Sequence, residues 1–326
     1  MRTIPAGTYR YVDFSDNDGI DLDRSIRFEV AVTVRDGTFH CDFTGSSPQV
    51  RGPFNCVPSG SLAAACYAVR AVTDPAIPTN AGCFRPITLE LPKGSVVNPL
   101  EPAPVNSRTA TIKRITGCIL GALKEVLPER VPADSSGELV ALMFGGRHGN
   151  GQPFVTGELI AGGSGAGPCS DGVDVIETDV TNCMNLPVEA MEMDAPIRVH
   201  RIALRQDSGG PGTHRGGLGV VKEYEILDGE VSFTYRGERH FFAPQGAQGG
   251  GEGAKAHALI RRADGTEEVI PSKMMATLKP GDRVVIETAG GAGNGPPATR
   301  SRGALEVDLA DGKVSVAEAR GRYGQA

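Results

Sequence analysis

The chain has 326 residues, 40% of them hydrophobic and 22% charged, and 39 acidic against 33 basic side chains give a net charge of −6. This profile excludes a disordered chain and leaves room for a sizeable core. A mild acidic excess without a clustered Lys/Arg stripe argues against nucleic acid as a partner, and no apolar run approaches the length of a membrane-spanning helix.

In chain order, the first elements are two alternating runs, Arg27–Val34 and Thr38–Phe43, separated by Asp36-Gly37. That dipeptide between alternating runs predicts a hairpin. Leu62–Val72 is rich in Ala with helical spacing and predicts a buried helix stopped by Asp74-Pro75. Ile87–Leu91 predicts a short strand. The longest helix is expected from 108 to 127, with Ser107 as its N-cap and Pro128 as its stop. Leu139–Phe144 and Pro153–Ile160 predict two strands around the turn His148-Gly149-Asn150-Gly151.

From Arg198 onward the pattern is almost all β. Strands are expected at Arg198–Arg205, Leu218–Ile226, Val231–Arg236, Ala256–Arg261 and Arg283–Thr288, with Asp228-Gly229 and Asp264-Gly265 as hairpin tips. A short helix follows Ser315, with Glu318 three residues on as in a capping box. The predicted fold is mixed α+β and strand-rich: an α+β region over 1–195 around one long central helix, then a β-rich region over 196–326.

The 44 glycines imply many turns and close backbone approaches. Seven cysteines show no C-x-x-C pair and no Cys/His zinc spacing, and read as free thiols. No apolar h-region follows Met1, so a cytoplasmic protein is expected.

The densest motif runs from Glu158 through Gly162-Gly163-Ser164-Gly165 to Asp171-Gly172. A glycine loop at a strand end lets backbone N–H groups converge on an anion or a carbonyl oxygen; equally, it lets backbones pack closely. No Gly-Lys-Ser/Thr follows and no helix pattern opens there, so it is neither a Walker A loop nor a dinucleotide fingerprint. Thr181-Asn182 to Glu189 gathers short polar groups suited to orienting a substrate, or to satisfying their own backbone in a turn. Arg205 and Arg215 flank a second glycine loop. They suit a bidentate grip on carboxylate or phosphate, or pin the loop through Asp207 and backbone carbonyls. Asn106-Ser107-Arg108 places an arginine and orphan N–H groups where an anion would bind, or is an ordinary cap. The six histidines are isolated, so no metal site built from this chain alone is expected, and Cys183 reads as a buried thiol.

Taken together, these segments are more specific than any one of them. Pro5-Ala6-Gly7-Thr8-Tyr9-Arg10, then Asp42-Phe43-Thr44-Gly45-Ser46 to Pro53-Phe54-Asn55, then Ile77-Pro78-Thr79-Asn80-Ala81-Gly82 resemble the hydantoinase B/oxoprolinase family. So do the Gly162–Gly165 loop, Thr181-Asn182 to Glu189, Asp207-Ser208-Gly209-Gly210 with Arg215-Gly216-Gly217, and Gly290–Gly295. The order is that of the family, and the resemblance covers essentially the whole chain. Departures are Ala289 where Pro is usual, Asn294 where Tyr is usual, and Glu238-Arg239-His240 where an Arg-Arg pair is common.

The resemblance implies a division of labour. An A-type component binds ATP and activates the substrate, and the B-type component completes hydrolysis of a cyclic amide or related compound, or carboxylates a ketone. The chain resembles the C-terminal part of a B-type subunit. Partners expected are the A-type ATP-binding subunit, an N-terminal B-type half if the subunit is split, and a small-molecule substrate, with no nucleic acid and no membrane. No cofactor is expected in this chain; ATP and a divalent metal are expected on the partners. A non-catalytic assembly role is the competing expectation. The expected site residues are Glu158 and Asp171 for acid/base work, with Asn106, Arg108, Gly163, Gly165, Asn182 and Glu189 binding substrate. The isolated chain should be inactive and should expose an apolar patch where its complement docks, with the segment from Arg2 to Asp18 as the expected seam.

Overall fold

Asp36 and Gly37 both take positive φ, 51° and 78°, the backbone that a two-residue type I′ turn requires. They join β2 (Ile26–Arg35) to β3 (Thr38–Asp42) in the antiparallel hairpin that the alternating runs predict. β1 (Gly7–Ser15) pairs antiparallel with β2, and β4 (Ile87–Glu90) runs parallel to β3, giving a first sheet in the order β1-β2-β3-β4. The structure, a computed structural model, describes residues 3–74 and 76–324. Of the Asp74-Pro75 stop expected after α1 (Pro58–Val72), Pro75 lies outside the described residues.

α2 (Ala81–Phe84) is a single turn capped by the Asn80 side chain. α3 (Arg108–Leu123) is the predicted long helix, with residues 124–126 continuing as a turn. Ser107 stands at its N-cap position but makes no capping bond, because its hydroxyl is taken by Arg236 at 2.6 Å. α1 and α3 pack on each other, and α3 packs on the first sheet. Their common core holds Phe28, Val30 and Val32 from the sheet, Ala64 and Ala68 from α1, and Ile115, Cys118 and Ile119 from α3. α3 is buried on almost every side, so Lys113, Arg114 and Thr116 are inside the protein as well.

A β-sandwich makes the second core. One sheet contains β5 (Val140–Arg147), β6 (Pro153–Ile160), β9 (Val231–Arg236) and β12 (Lys273–Leu278), in the order β12-β9-β5-β6. The other contains β7 (Ile197–Leu204), β8 (Val220–Ile226), β10 (His257–Arg261), β11 (Glu267–Val269) and β13 (Arg283–Glu287), in the order β11-β10-β13-β8-β7. Alternate residues of both sheets face inward, and the Phe144 ring lies 5.7 Å from Tyr224 across the gap. The expected division near residue 195 falls between α4 (Val188–Asp194) and β7. The β5–β6 sheet takes strands from both sides of it, and the two cores part between Val131 and Val140.

α5 (Arg302–Ala310) and α6 (Val316–Gly321) pack around Leu305, Val314 and Tyr323 near the end of the chain. Ser315 Oγ accepts the Glu318 N–H at 3.1 Å, the cap that the Ser-x-x-Glu spacing predicts. The fold is therefore mixed α+β and strand-rich, as expected. Among the described residues, no helix is long and apolar enough to cross a membrane.

Candidate functional site

The buried cations of α3 need partners, because an unpaired charge inside a protein is costly. Arg114 Nη1 meets Asp13 Oδ2 of β1 at 2.7 Å. Arg239, just past β9, reaches the same carboxylate with both terminal nitrogens at 3.3 Å and donates its Nε–H to the Ser136 carbonyl at 2.8 Å. Lys113 Nζ lies 2.6 Å from Glu177 and donates to the Thr178 carbonyl. Lys124 Nζ lies 2.8 Å from one Asp134 oxygen, and the Tyr11 hydroxyl donates to the other at 2.9 Å. A partly enclosed cavity of about 60 Å³ lies here, with Asp13, Lys113, Arg114, Asp134, Asp179 and Arg239 in its wall. It has room for roughly two waters.

Two carboxyl groups of this wall are tuned in opposite directions. Burial opposes the charge on Asp13, but Arg114 and then Arg239 outweigh it and hold the group down at about 2. Burial pushes Asp179 upward against the pull of Lys113. Its one hydrogen bond among the described residues comes from Thr178 Oγ1 at 3.3 Å. Asp179 also sits at a φ of 66°, an uncommon backbone for a residue with a side chain. Environments that separate the pKa values of neighbouring acids are how one site holds an anion and a proton carrier together.

A second network joins the two cores beside this cavity. Glu238 accepts from Lys273 Nζ at 2.7 Å and from the Asp16 N–H at 2.9 Å. Asp16 in turn accepts the N–H groups of His240 and Phe241 at 2.9 and 3.1 Å. Burial and the neighbouring Glu238 push Asp16 up to about 6. Burial, with Lys273, pushes His240 down to about 4, which leaves a neutral imidazole hydrogen-bonded to Tyr235 at 2.8 Å.

Residues 174–186 form a strap that brings Asp179 to the cavity. Asp174 holds one end through Arg215 at 3.2 Å and the Leu218 N–H at 2.9 Å. Glu177 and the Thr178 carbonyl hold the middle on Lys113, and Asn185 meets Lys222 Nζ at 3.1 Å.

The sequence-predicted residues fall into several places. Asn182 is in the strap, exposed, three positions past Asp179. Glu189 is exposed in the first turn of α4, and Asn106 and Arg108 are exposed at the start of α3. Glu158 points into the sandwich, where it pairs with the buried Lys222 and accepts the Tyr224 hydroxyl at 2.6 Å. Asp171 is gripped by both terminal nitrogens of Arg300 at 2.7 Å and accepts the Arg215 N–H at 2.7 Å. Although burial opposes it, the Arg300 hydrogen bonds hold this carboxyl below its ordinary value. The structure thus places Glu158 and Asp171 in separate ion-paired networks.

Gly163 and Gly165 are where backbones meet. A Cβ on Gly163 would stand 1.9 Å from the Gly217 carbonyl oxygen, and one on Gly165 would stand 1.8 Å from that of Ala133. Their N–H groups donate to the Ala289 carbonyl and to Ser135 Oγ, each at 3.0 Å, so neither faces an open oxyanion position. Arg205 pins its loop through the Lys255 and Thr288 carbonyls and Glu287, and Arg215 does so through Asp174 and Asp308. Cys183, expected as a buried thiol, is half-buried.

Sequence reasoning missed Asp13, Lys113, Arg114, Asp134, Asp179 and Arg239. One signal was present: Lys113 and Arg114 interrupt the apolar face of the longest helix of the chain, and a helix buried all round can keep cations only beside anions.

A sequence profile of the hydantoinase B/oxoprolinase family matches residues 1–297. A putative D-/L-hydantoinase B-type subunit from Pseudomonas sp. is 31% identical over 99% of this chain and 56% of its own length. An uncharacterised protein of Methanocaldococcus jannaschii is 36% identical over 92% of this chain and 52% of its own length. The chain thus spans about half the length of these two relatives, and each carries nearly as much polypeptide again beyond the matched region. An ATP-dependent caprolactamase from Pseudomonas jessenii superimposes with a TM-score of 0.85 at 26% identity, over 99% of this chain and 57% of that one. A nucleotide-free acetone carboxylase superimposes with a TM-score of 0.84 at 20% identity, over 99% of this chain and 50% of that one, a likeness of fold.

Proposed function

The chain belongs to the hydantoinase B/oxoprolinase family, and from that premise we propose that it forms part of the B-type component of an ATP-dependent enzyme that opens a cyclic amide. The observation that carries this reading is the match to an ATP-dependent caprolactamase over 99% of this chain at 26% identity. An A-type partner binds ATP and activates the lactam carbonyl, and the present chain prepares the water that attacks it. ATP and a divalent ion belong to the partners in this reading. Among the described residues, no group of three His, Cys, Asp or Glu side chains converges as a ligand set for such an ion, and no step is assigned to one.

The cavity of about 60 Å³ admits water but not a lactam ring, so the ring lies at its mouth. Asp179 takes a proton from the water as its oxygen bonds to the carbonyl carbon. The C–N bond then breaks, and the proton passes to the ring nitrogen. Overall, lactam, ATP and two waters give the ring-opened amino acid, ADP and phosphate: one water adds across the C–N bond, with hydroxyl to carbon and hydrogen to nitrogen, and the second releases from the oxygen the phosphoryl group that activation placed there. Lys113 and Arg114 remain on Glu177 and Asp13 and hold the wall that carries Asp179. Glu158 and Asp171 are less suited to the acid/base step, because a cation already holds each carboxylate.

The test is turnover of hydantoins, 5-oxoproline and lactams with ATP, using this chain together with its A-type partner and the remaining B-type polypeptide. Release of ring-opened product dependent on this chain supports the reading. Turnover of ketones with bicarbonate, and of no cyclic amide, would replace it with the carboxylase reading. Full turnover by the partners without this chain would leave it an assembly role only.

A further inference from the structure

The β12-β9-β5-β6 sheet has one face in the sandwich core. An antiparallel sheet covered on one side ordinarily turns polar residues outward on the other. Here the outward positions carry Met143, Val155, Leu159 and Met275, and the exposures of Val155 and Met275 reach 76% and 74%. The register makes one patch of them: Met143 stands opposite Gly157 on β6 and opposite Thr234 on β9, and Thr234 stands opposite Met275 on β12. Gly157 leaves room for the Met143 side chain, since a Cβ there would stand 2.4 Å from its sulfur. No acid lies at an outward position of these strands; Ser232, Thr234 and Thr277 are the neutral polar residues among them, and the cations Arg147 and Arg236 stand at opposite ends, Arg236 where Ser107 and the start of α3 begin.

We infer that this outer face is the docking surface for the polypeptide that makes up the remainder of the longer relatives. Three observations choose that occupant. The caprolactamase matches 99% of this chain, yet this chain covers only 57% of it, so a comparable length of polypeptide accompanies the same fold there. The centre of the face is apolar, it is free of acids, and its cations lie at the ends, which suits a permanent polypeptide interface rather than a charged or transient one. It also ends at the first turn of α3, whose Lys113 and Arg114 line the cavity, so its occupant would complete the mouth of the candidate site. The segment expected from the sequence as a seam, 2–18, carries β1, which pairs along its length with β2 and forms the outer edge of the first sheet, while residue 2 lies outside the described residues. The inference is independent of the activity proposed above.

Methionine oxidation by peroxide follows exposure, and Met184, 89% exposed in the strap, is an internal reference. In the assembly isolated from its source through a tag on this chain, Met143 and Met275 are expected to oxidise at least about tenfold more slowly than Met184, and in the isolated chain Met275 should match it. Oxidation of Met275 at the Met184 rate in the assembly would overturn the inference. A photoreactive p-benzoylphenylalanine in place of Val155 should cross-link to the remaining polypeptide. Cross-links to a second copy of this chain, or to the ATP-binding partner, would overturn the choice of occupant. In the double variant M143E/M275E, both changes lie at solvent-facing positions, so the melting temperature of the isolated chain should hold while cross-linking falls about tenfold or more. Undiminished cross-linking in that variant would also overturn the inference.

Discussion

Arg114 of α3 and Asp13 of β1 stand 101 residues apart in sequence and 2.7 Å apart in the structure. The guanidinium is 2% exposed and the carboxylate 12%, so each answers the other's charge far more than bulk water does. Arg239 arrives from beyond β9 to share the same carboxylate. One acid of the first sheet therefore answers a cation from each core, and the junction depends on it.

Replacing Asp13 by Asn should cost about 3–5 kcal/mol, because two buried cations lose their anion. Arg114→Met should cost less, since Arg239 still answers Asp13. The double variant D13N/R114M should cost less than the sum of the two by at least about 1 kcal/mol. Urea unfolding of the four proteins checks this, and strictly additive losses would show that the pair is not coupled. The pH dependence has a definite sign. The folded Asp13 titrates at about 2 against an ordinary value of 3.8. Its stabilisation is complete above 3.8 and is lost as pH falls through 2.

Glu138 should give the opposite slope. It is fully buried, one oxygen accepts the Ala289 N–H at 2.6 Å, and the other has no partner among the described residues. Burial pushes its carboxyl up to about 8 from an ordinary value of 4.5. The folded state therefore keeps the proton where the unfolded chain has lost it. This contribution is complete below 4.5, declines as pH rises, and is gone above about 8. Glu138→Gln should flatten that part of the stability curve, as measured by chemical unfolding between about pH 5 and pH 9. A Gln variant with the same slope as the parent protein would assign it to another group.

Much of the fold was legible in the sequence because its signals are local. Asp36-Gly37, the periodicity of α3 and the Ser315/Glu318 cap each depend on residues a few positions apart. β12 escaped because Lys273-Met274-Met275-Ala276 does not alternate: Met274 faces the core and Met275 faces outward, yet both read as core. β1 does alternate, yet its start was read as a seam rather than a strand. The cavity was illegible for a different reason. Asp13, Arg114, Asp179 and Arg239 come from four distant segments, and no spacing links them. The glycine loop was the densest local motif, and the structure shows what that density records at Gly163 and Gly165: chain segments passing too closely to admit a side chain.

Two glycine substitutions should therefore move stability in opposite directions. Gly163→Ala places a Cβ 1.9 Å from the Gly217 carbonyl and 2.6 Å from the Gly291 nitrogen. Neither backbone is free to retreat, because the Gly291 N–H donates to that same Gly217 carbonyl at 2.8 Å. The expected loss is about 3 kcal/mol or more. Gly117, inside α3, has nothing within 4 Å of its Cβ position and lines the cavity. Gly117→Ala should gain about 0.5–1 kcal/mol through helix propensity alone. Thermal unfolding of the two variants decides, and a destabilised Gly117→Ala would mean that the cavity is tighter than its lining shows.

The assignment of acid/base work separates on two variants that differ in kind. Asp179→Asn keeps the shape of a side chain whose hydrogen bonding is slight. It should leave stability nearly unchanged and lower kcat by about 10²–10⁴ in the reconstituted complex. Glu158→Gln removes the anion that faces buried Lys222 inside the sandwich. It should cost about 3–5 kcal/mol of stability, while each molecule that remains folded turns over at close to the parent rate. The readout is kcat per folded molecule, with the folded fraction taken from unfolding curves of the same preparations. If Glu158→Gln abolishes turnover in a fully folded protein and Asp179→Asn does not, the acid/base group lies on β6, and Lys222 is then the cation that sets its charge. Under the reading proposed here, the carboxyl that burial has pushed upward performs the proton transfer, because Glu158 already spends its two oxygens on Lys222 and Tyr224 while Asp179, among the described residues, has one oxygen free to meet a water.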